Sequence, residues 1–401
     1  MKYKYVILIA CFIAGCISRQ SKMPAEGIPV IDMEKAVASA TDFYHLSDIA
    51  GRIEYIPLEF TPECPVGTVR RVYIASEDIF VLTSDNMFRF DKNGKFLNVI
   101  GKQGGGPGEY RMGFHLAVDT TEQHIYIKSV GKSDIVVYDY DGRHIQTRRI
   151  DSNPSISPFY ILPETKNLVL LGQPAMLTSP ESFFVSVTDI DNNRIFHKKY
   201  LLSSMLSSDQ LAFAQFGSLQ SADGLLLLDV MSDTIFNYRQ SMLTPYLILN
   251  LGRYKAPLDA IISAANGNRN ALDPYIYIIN IVTETPQYLF LQFIQGEKWY
   301  LLRYDKHNQG YTTFKVKREE GRPVELIYND IDGGLPVSFG AFPTYNQLAR
   351  ITHAFDMKED LTADYFSKSD AKDPHAKERL KNLVHSLGDE DNPVIMKIIL
   401  K

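Results

Sequence analysis

The chain has 401 residues, 45% of them hydrophobic and 22% charged, with a formal net charge of −5. This apolar content excludes a disordered polymer, and a mildly acidic balance without basic clusters excludes nucleic acid as a partner. The length suits two or three ordinary domains, unless one closed β architecture takes up the whole chain.

In chain order, the first signal is MKYKYVILIACFIAGCISRQ, with Lys2 and Lys4 ahead of an uncharged apolar run from Tyr5 to Ala14. A run this short cannot span a hydrocarbon core, which takes roughly 20 residues, so it reads as a secretion signal over 1–15. The run ends in Ile13-Ala14-Gly15-Cys16, which resembles the lipobox of bacterial lipoproteins. That resemblance implies acylation of Cys16 and a cell-envelope location, most simply the outer membrane, with the periplasmic and surface faces both left open. Cleavage removes two lysines and no acids, taking the formal charge from −5 to −7. Residues 16–42 lack an apolar period and read as a lipidated cysteine followed by a flexible tether. An acylated end held this close to the ring is expected to emerge beside the last blade.

Of three cysteines, Cys11 leaves with the signal and Cys16 is acylated, so Cys64 stands alone in the mature chain. No intrachain disulfide can form, and the fold must rest on its apolar core. Cys64, flanked by Pro62 and Pro65 with no base in view, reads as a buried structural thiol.

From residue 53 onward, β-branched and aromatic runs are broken by Gly, Asn, Asp and Pro, the pattern of short strands. Two segments, MFRFDKNGKFLNVIG (87–101) and IVVYDYDGRHIQTRRI (135–150), share aromatic-Asp-x-x-Gly-basic followed by a strand, with Asp91 and Asp139 48 residues apart. Asn93-Gly94 and Asp141-Gly142 supply the positive-φ positions of hairpin turns. The register continues weakly at Asp189 and Asn237, strongly at Asp305, and faintly at Asp356. The long interval before Asp305 contains APLDAIISAANGN (256–268), read as a helical insertion. Units of this length, each too small to bury its own faces, predict an all-β, six-bladed β-propeller of four-stranded antiparallel blades. The early strand RIEYIPLEF (52–60) precedes the first complete unit and is expected to close the ring as the outer strand of the last blade. The propeller is placed at 43–370. Residues 371–401 are read as a helix, capped by Asp373-Pro374 and stopped at Gly388, and a tail strand packed on the body.

Two local motifs invite a ligand. Gly101 to Tyr110 reads GKQGGGPGEY, so Gly104, Gly105, Gly106, Pro107, Gly108, Glu109 and Tyr110 form a candidate ligand loop at one mouth of the ring. A phosphate-cradling Walker loop needs Ser or Thr after its lysine and then a helix, and neither follows, so the plainer reading is a blade-to-blade connection. Asn329-Asp330-Ile331-Asp332-Gly333-Gly334 places Asp330 and Asp332 where they can offer oxygens to Ca²⁺. The EF-hand pattern is absent, and a turn satisfying its own amides is the simpler account. The nine histidines show no zinc spacing, although His115 and His353 are candidates for the central channel. Among the aromatics, Tyr110, Phe114, Tyr275, Tyr277 and Trp299 are candidates for a mouth.

VIGKQGGGPGEY (99–110), SDTIFNY (232–238), NDIDGG (329–334) and EDNPVIMKIILK (390–401) together resemble a large family of Gram-negative envelope lipoproteins, six-bladed β-propellers of unknown function. More distantly the chain is similar to NHL-repeat propellers, which include binding modules and a few lyases. The resemblance implies the fold and the lipoprotein setting but no reaction, catalytic residue or cofactor. The expected function is therefore a membrane-tethered binding or scaffold propeller whose rim loops recognise an envelope protein, peptide or glycan. The rival is a metal-assisted hydrolase or lyase at the central channel.

Overall fold

The aspartates of the repeat close hairpins, as their spacing implies. Asp91 accepts the amides of Asn93 and Lys95 at 2.8 and 2.9 Å, Asp139 that of Arg143, Asp189 those of Asp191 and Asn193, and Asp305 that of His307. Each carboxylate organises the turn from a blade's third strand to its fourth. The structure, a computed structural model, describes residues 27–42, 45–129, 134–150, 158–172, 183–200, 217–229, 232–318, 325–337, 342–344 and 347–401. Residues 1–15, read as a secretion signal, and Cys16 lie outside them.

The chain begins with β1 (Val30–Asp32), α1 (Met33–Ala38), α2 (Leu46–Ile49) and β2 (Ala50–Pro57). Blade 1 follows as β3 (Val69–Ile74), β4 (Asp78–Thr83), β5 (Met87–Asp91) and β6 (Phe96–Val99). Blade 2 is β7 (Gly113–Asp119), β8 (His124–Ser129), β9 (Asp134–Asp139) and β10 (His144–Arg149). Blade 3 is β11 (Phe159–Ile161), β12 (Leu168–Leu171), β13 (Val185–Thr188) and β14 (Arg194–Lys198). Blade 4 is β15 (Gly217–Ser221), β16 (Gly224–Leu228), β17 (Thr234–Arg239) and β18 (Met242–Asn250). After α3 (Leu258–Ala265), blade 5 is β19 (Ile276–Glu284), β20 (Tyr288–Gln295), β21 (Lys298–Asp305) and β22 (Tyr311–Arg318), extended by β23 (Glu325–Leu326). Blade 6 starts with β24 (Phe342–Thr344) and β25 (Gln347–Thr352), breaks for α4 (Ala354–Asp360), α5 (Ala363–Lys368) and α6 (Pro374–Ser386), and resumes with β26 (Val394–Leu400).

The last sheet has the order β2-β26-β25-β24, so β2 is its outer strand and the ring closes on its own beginning. Pairing runs from Ala50↔Leu400 to Pro57↔Val394. Six apolar clusters each lie between neighbouring blades: Phe80, Leu82 and Met87 meet Ile125, Ile127 and Tyr138 between blades 1 and 2, for example. This is the core of the molecule. A fully buried Leu or Phe contributes about 1.5–3 kcal/mol, and no blade buries both its faces without its neighbours.

Strand direction divides the connections into two sets. In blades 1–5 the first and third strands run one way and the second and fourth the other, so first-to-second and third-to-fourth turns lie on one face. Second-to-third links and blade-to-blade links leave from the opposite face. The connections after β2, β6, β10, β12, β14, β18 and β25, each longer than six residues, leave from that second face, which is termed the loop face.

The structure corrects four expectations. Residues 28–42, read as mobile tether, are strapped to the ring: β1 pairs in parallel with β18, and Ile31, Met33 and Ala36 are fully buried. The strap runs on past Phe314, which bridges Thr41, and Tyr328, which bridges His45, before entering β2. A three-residue strand between polar stretches leaves no period to read. In consequence the chain reaches the ring beside blade 4, not blade 6. Asp356 lies in α4 and Asn237 lies within β17, whose two-residue turn at Gln240-Ser241 needs no aspartate, so neither marks a repeat turn. Finally, the tail strand β26 is no appendage but the third strand of blade 6, and the propeller extends to residue 400.

Candidate functional site

The glycine loop is a wedge between blades 1 and 2. Gly104 N donates to Tyr110 O (2.8 Å), Tyr110 N to Lys102 O (3.1 Å), and Gly106 N to Glu109 Oε2 (2.8 Å). Tyr110 is 1% exposed, its ring edge-on to Tyr138, whose hydroxyl donates to Gly108 O at 2.7 Å. Two glycines are dictated by space. A Cβ on Gly101, at φ +67°, would sit 2.4 Å from the Tyr138 ring, and one on Gly104 would sit 2.0 Å from the Glu109 carboxylate. Within the Gly104–Tyr110 stretch only Gly105 and Pro107 are exposed.

Asp330 and Asp332 lie at a junction of four segments. Asp330 accepts from Ser47 N (2.9 Å) and Ser47 Oγ (2.7 Å) and pairs with Lys372 Nζ (2.9 Å). Burial would raise this carboxyl, but the hydrogen bonds from Ser47 and Lys372 outweigh it and hold it below the usual range. Asp332 accepts from Gly334 N (2.9 Å) and Asn329 Nδ2 (2.6 Å). Burial dominates there and raises its pKa; burial and then the Asp332 charge push the adjacent Tyr55 phenol well above its ordinary value. The two carboxylates thus serve different donors, and a Ca²⁺ ion at Asp330 would have to displace both Ser47 and Lys372. No cluster of three or more potential metal-ligating side chains occurs among the described residues. Cys64 is fully buried, and burial pushes its thiol up to about 12, against an opposing contact from Asn392.

A site that sequence reasoning did not find lies at the loop-face end of the innermost strands. Three of these strands carry a β-bulge in their first turn of pleat: between Val69 and Arg71 in β3, Gly113 and His115 in β7, and Ile276 and Ile278 in β19. The extra residues are Arg70, Phe114 and Tyr277. A bulge breaks the two-residue alternation and re-aims a side chain, so adjacent Arg70 and Arg71 reach the same ring: their guanidinium carbons stand 5.9 and 5.7 Å from the Phe114 centroid. Arg71 Nη1 donates to Arg70 O (2.8 Å), Arg70 Nη2 meets Met112 Sδ (3.2 Å), and the Arg70 Nε, buried, has no acceptor among the described residues. Tyr160 on β11 and Ser218 on β15 share a hydroxyl contact of 2.9 Å. Burial, reinforced by Arg70, lowers the Arg71 pKa, with Tyr160 opposing. The only sequence signal was Arg70-Arg71 inside a strand-like run; alternation alone would send them to opposite faces.

Of the other candidates, His115 is buried edge-on against Phe114, whereas His353 is the exposed N-cap of α4. Tyr275 and Trp299 pack against interblade clusters. Lys128, in register with His115 on β8, is fully buried, and desolvation lowers its pKa to about 8. Its folded value lies below the ordinary lysine value of 10.5, so between those limits the unfolded chain holds the extra proton and stability rises with pH. Urea unfolding across that window should show Lys128→Met lacking a contribution of at most ~1.4 kcal/mol per pH unit that the wild type has. Parallel pH profiles for the two proteins would refute the assignment.

With this geometry in place, comparison with known proteins gives the family. The model of a domain of unknown function, DUF4934, matches residues 28–398, and the chain belongs to that family. The crystal structure of a "putative exported protein" from Bacteroides fragilis superposes with a TM-score of 0.65 at 19% identity, covering 90% of this chain and 98% of that one. This likeness shows the shared fold. A DUF4221 member from Bacteroides vulgatus (TM-score 0.47, 10% identity, 88% and 97% coverage) and the virginiamycin B lyase of Staphylococcus aureus (0.38, 10%, 68% and 76%) are also similar, at a level from which nothing follows for this chain. No functionally curated protein matches the sequence. No helix among the described residues is long and apolar enough to cross a membrane.

Proposed function

We propose that this propeller is a binding module held at the cell envelope through an acylated Cys16, recognising a protein, peptide or glycan with its loop face. The observation that carries the reading is the set of three bulges, which turn Arg70, Phe114 and Tyr277 out of the regular pleat at one mouth of the channel. Bulges concentrate at the rims of closed β structures where a side chain is re-aimed for function. The long blade-to-blade connections leave from that same face, while the first-to-second and third-to-fourth links on the other have six residues or fewer.

The strap supports an orientation. β1 runs parallel to β18, toward the loop face, so the residues before Val30 approach from the turn side. Ten residues separate Cys16 from Gly27, a reach of at most ~35 Å. An anchor on that side turns the tight hairpins toward the membrane and leaves the mouth open.

The test is an array of envelope glycans and peptides probed with the purified mature protein, with Tyr277→Ala on the loop face and Asn93→Ala on the turn face as paired variants. Binding that falls at least tenfold in the first and holds in the second supports the reading. Ligands released as cleaved products would favour a channel hydrolase or lyase instead, and equal loss in both variants would refute the assignment of the face.

A further inference from the structure

We infer that the mouth is an anion site in which Arg70 and Arg71 receive the carboxylate of an acidic saccharide. This deepens the recognition reading above and rests on it.

Six described arginines, Arg52, Arg89, Arg143, Arg239, Arg253 and Arg379, each meet a carboxylate, Glu54, Asp78, Asp141, Asp223, Glu34 and Asp373 respectively, while buried Arg148 donates to two carbonyls, those of Lys166 and Asp189. Arg70 and Arg71 meet no carboxylate among the described residues, and their polar contacts are one sulfur and one carbonyl. Two half-buried guanidiniums on consecutive residues repel each other and forgo hydration, and the buried Arg70 Nε has no acceptor in compensation. A bound oxyanion removes all three costs together, and the planar fork of arginine suits a carboxylate in two-point contact. Lys128, fully buried on the neighbouring strand of the same blade, adds positive charge at this end of blade 2. The site is therefore locally positive on a chain whose mature formal charge is −7, which selects for an anion held by contact and not by long-range attraction.

The remaining lining identifies the class of molecule that bears the anion. The Tyr160 and Ser218 hydroxyls, 2.9 Å apart, both donate and accept, as ring hydroxyls require. Phe114, half-buried against both guanidiniums, supplies aromatic surface beside them. Charged fork, paired hydroxyls and aromatic surface together fit a uronic acid residue. A simple inorganic anion would use the fork and leave the rest idle.

The experiment is calorimetric titration of the full mature chain with an oligogalacturonate and with the neutral galactose oligomer of equal length. The acidic oligomer should bind at least tenfold more tightly, its affinity falling as salt rises. Arg70→Gln and Arg71→Gln should each weaken it by roughly ten- to hundredfold, the loss of a charge-assisted contact, with Arg71→Lys intermediate. If Arg71→Gln fails to fold by near-ultraviolet circular dichroism, Arg70→Gln and Arg71→Lys decide the question. Equal affinity for the two oligomers, or unchanged affinity in both glutamine variants, overturns the inference. Inorganic sulfate binding as tightly as the uronate overturns the saccharide assignment. Unchanged binding of the acidic oligomer to both glutamine variants, with a neutral array ligand still bound through the loop face, sinks the anion site alone, whereas absence of any array ligand bound through the loop face sinks the recognition reading with it.

Discussion

Deletion of residues 50–57 leaves a protein that aggregates and shows no cooperative unfolding transition. β2 contributes few fully buried side chains of its own, Ala50 and Ile56 foremost, yet it covers β26 along its whole length. β26 reads VIMKIIL, and five of its seven side chains are buried, Ile395 and Ile398 completely. Without β2 this strand becomes an uncovered edge, apolar on both faces, bearing one lysine: the template on which other chains add. Loss of the staple also frees the two ends of the ring, so blades 6 and 1 part and their shared cluster of Ile56, Leu58, Val72, Phe88 and Ile395 opens to water. The cost exceeds roughly 5 kcal/mol, the lower end of what domains of this kind possess. Light scattering and denaturant unfolding of the truncated chain are the measurements. A soluble protein with a wild-type transition would show that the ring does not close through β2.

The fold was legible because a propeller repeats itself. Hairpin turns need the same chemistry each time, so Asp91, Asp139 and Asp305 stood out in register, and the early strand 52–60 was left over for closure. The register failed where the turn chemistry changed, at Asn237, and where a helical insertion had aspartate by chance, at Asp356. The mouth was not legible at all. Its members come from five different strands, one or two residues from each, and three of them are presented by bulges that no two-residue period announces. The conspicuous motifs were conspicuous for packing reasons: Gly101 and Gly104 leave room for Tyr138 and Glu109, and Asp330 and Asp332 tie α2 and α6 to the exit of blade 5.

The second large effect belongs to the strap. Ile31→Ala and Met33→Ala should each lower stability by about 2–5 kcal/mol, as for fully buried large-to-small changes elsewhere. Ile31 is enclosed with Leu247 and Leu249 of β18 and the face of blade 5, Met33 with the same cluster, and neither side chain has any exposed surface. The helix that follows is fixed by its cap, since Asp32 accepts the Lys35 amide at 3.0 Å, and by Glu34, which accepts the Arg253 amide at 2.8 Å. A six-residue helix has no stability of its own, so its order comes from this docking. If residues 28–42 were tether, both substitutions would be silent in urea unfolding, and that outcome would restore the sequence-based expectation. The outcome also bears on the anchor. Under the proposed acylation of Cys16, a strap docked across blades 4 and 5 couples that anchor to the body of the ring, so the double variant should loosen the orientation of the mouth while leaving the proposed uronate affinity at Arg70 and Arg71 unchanged.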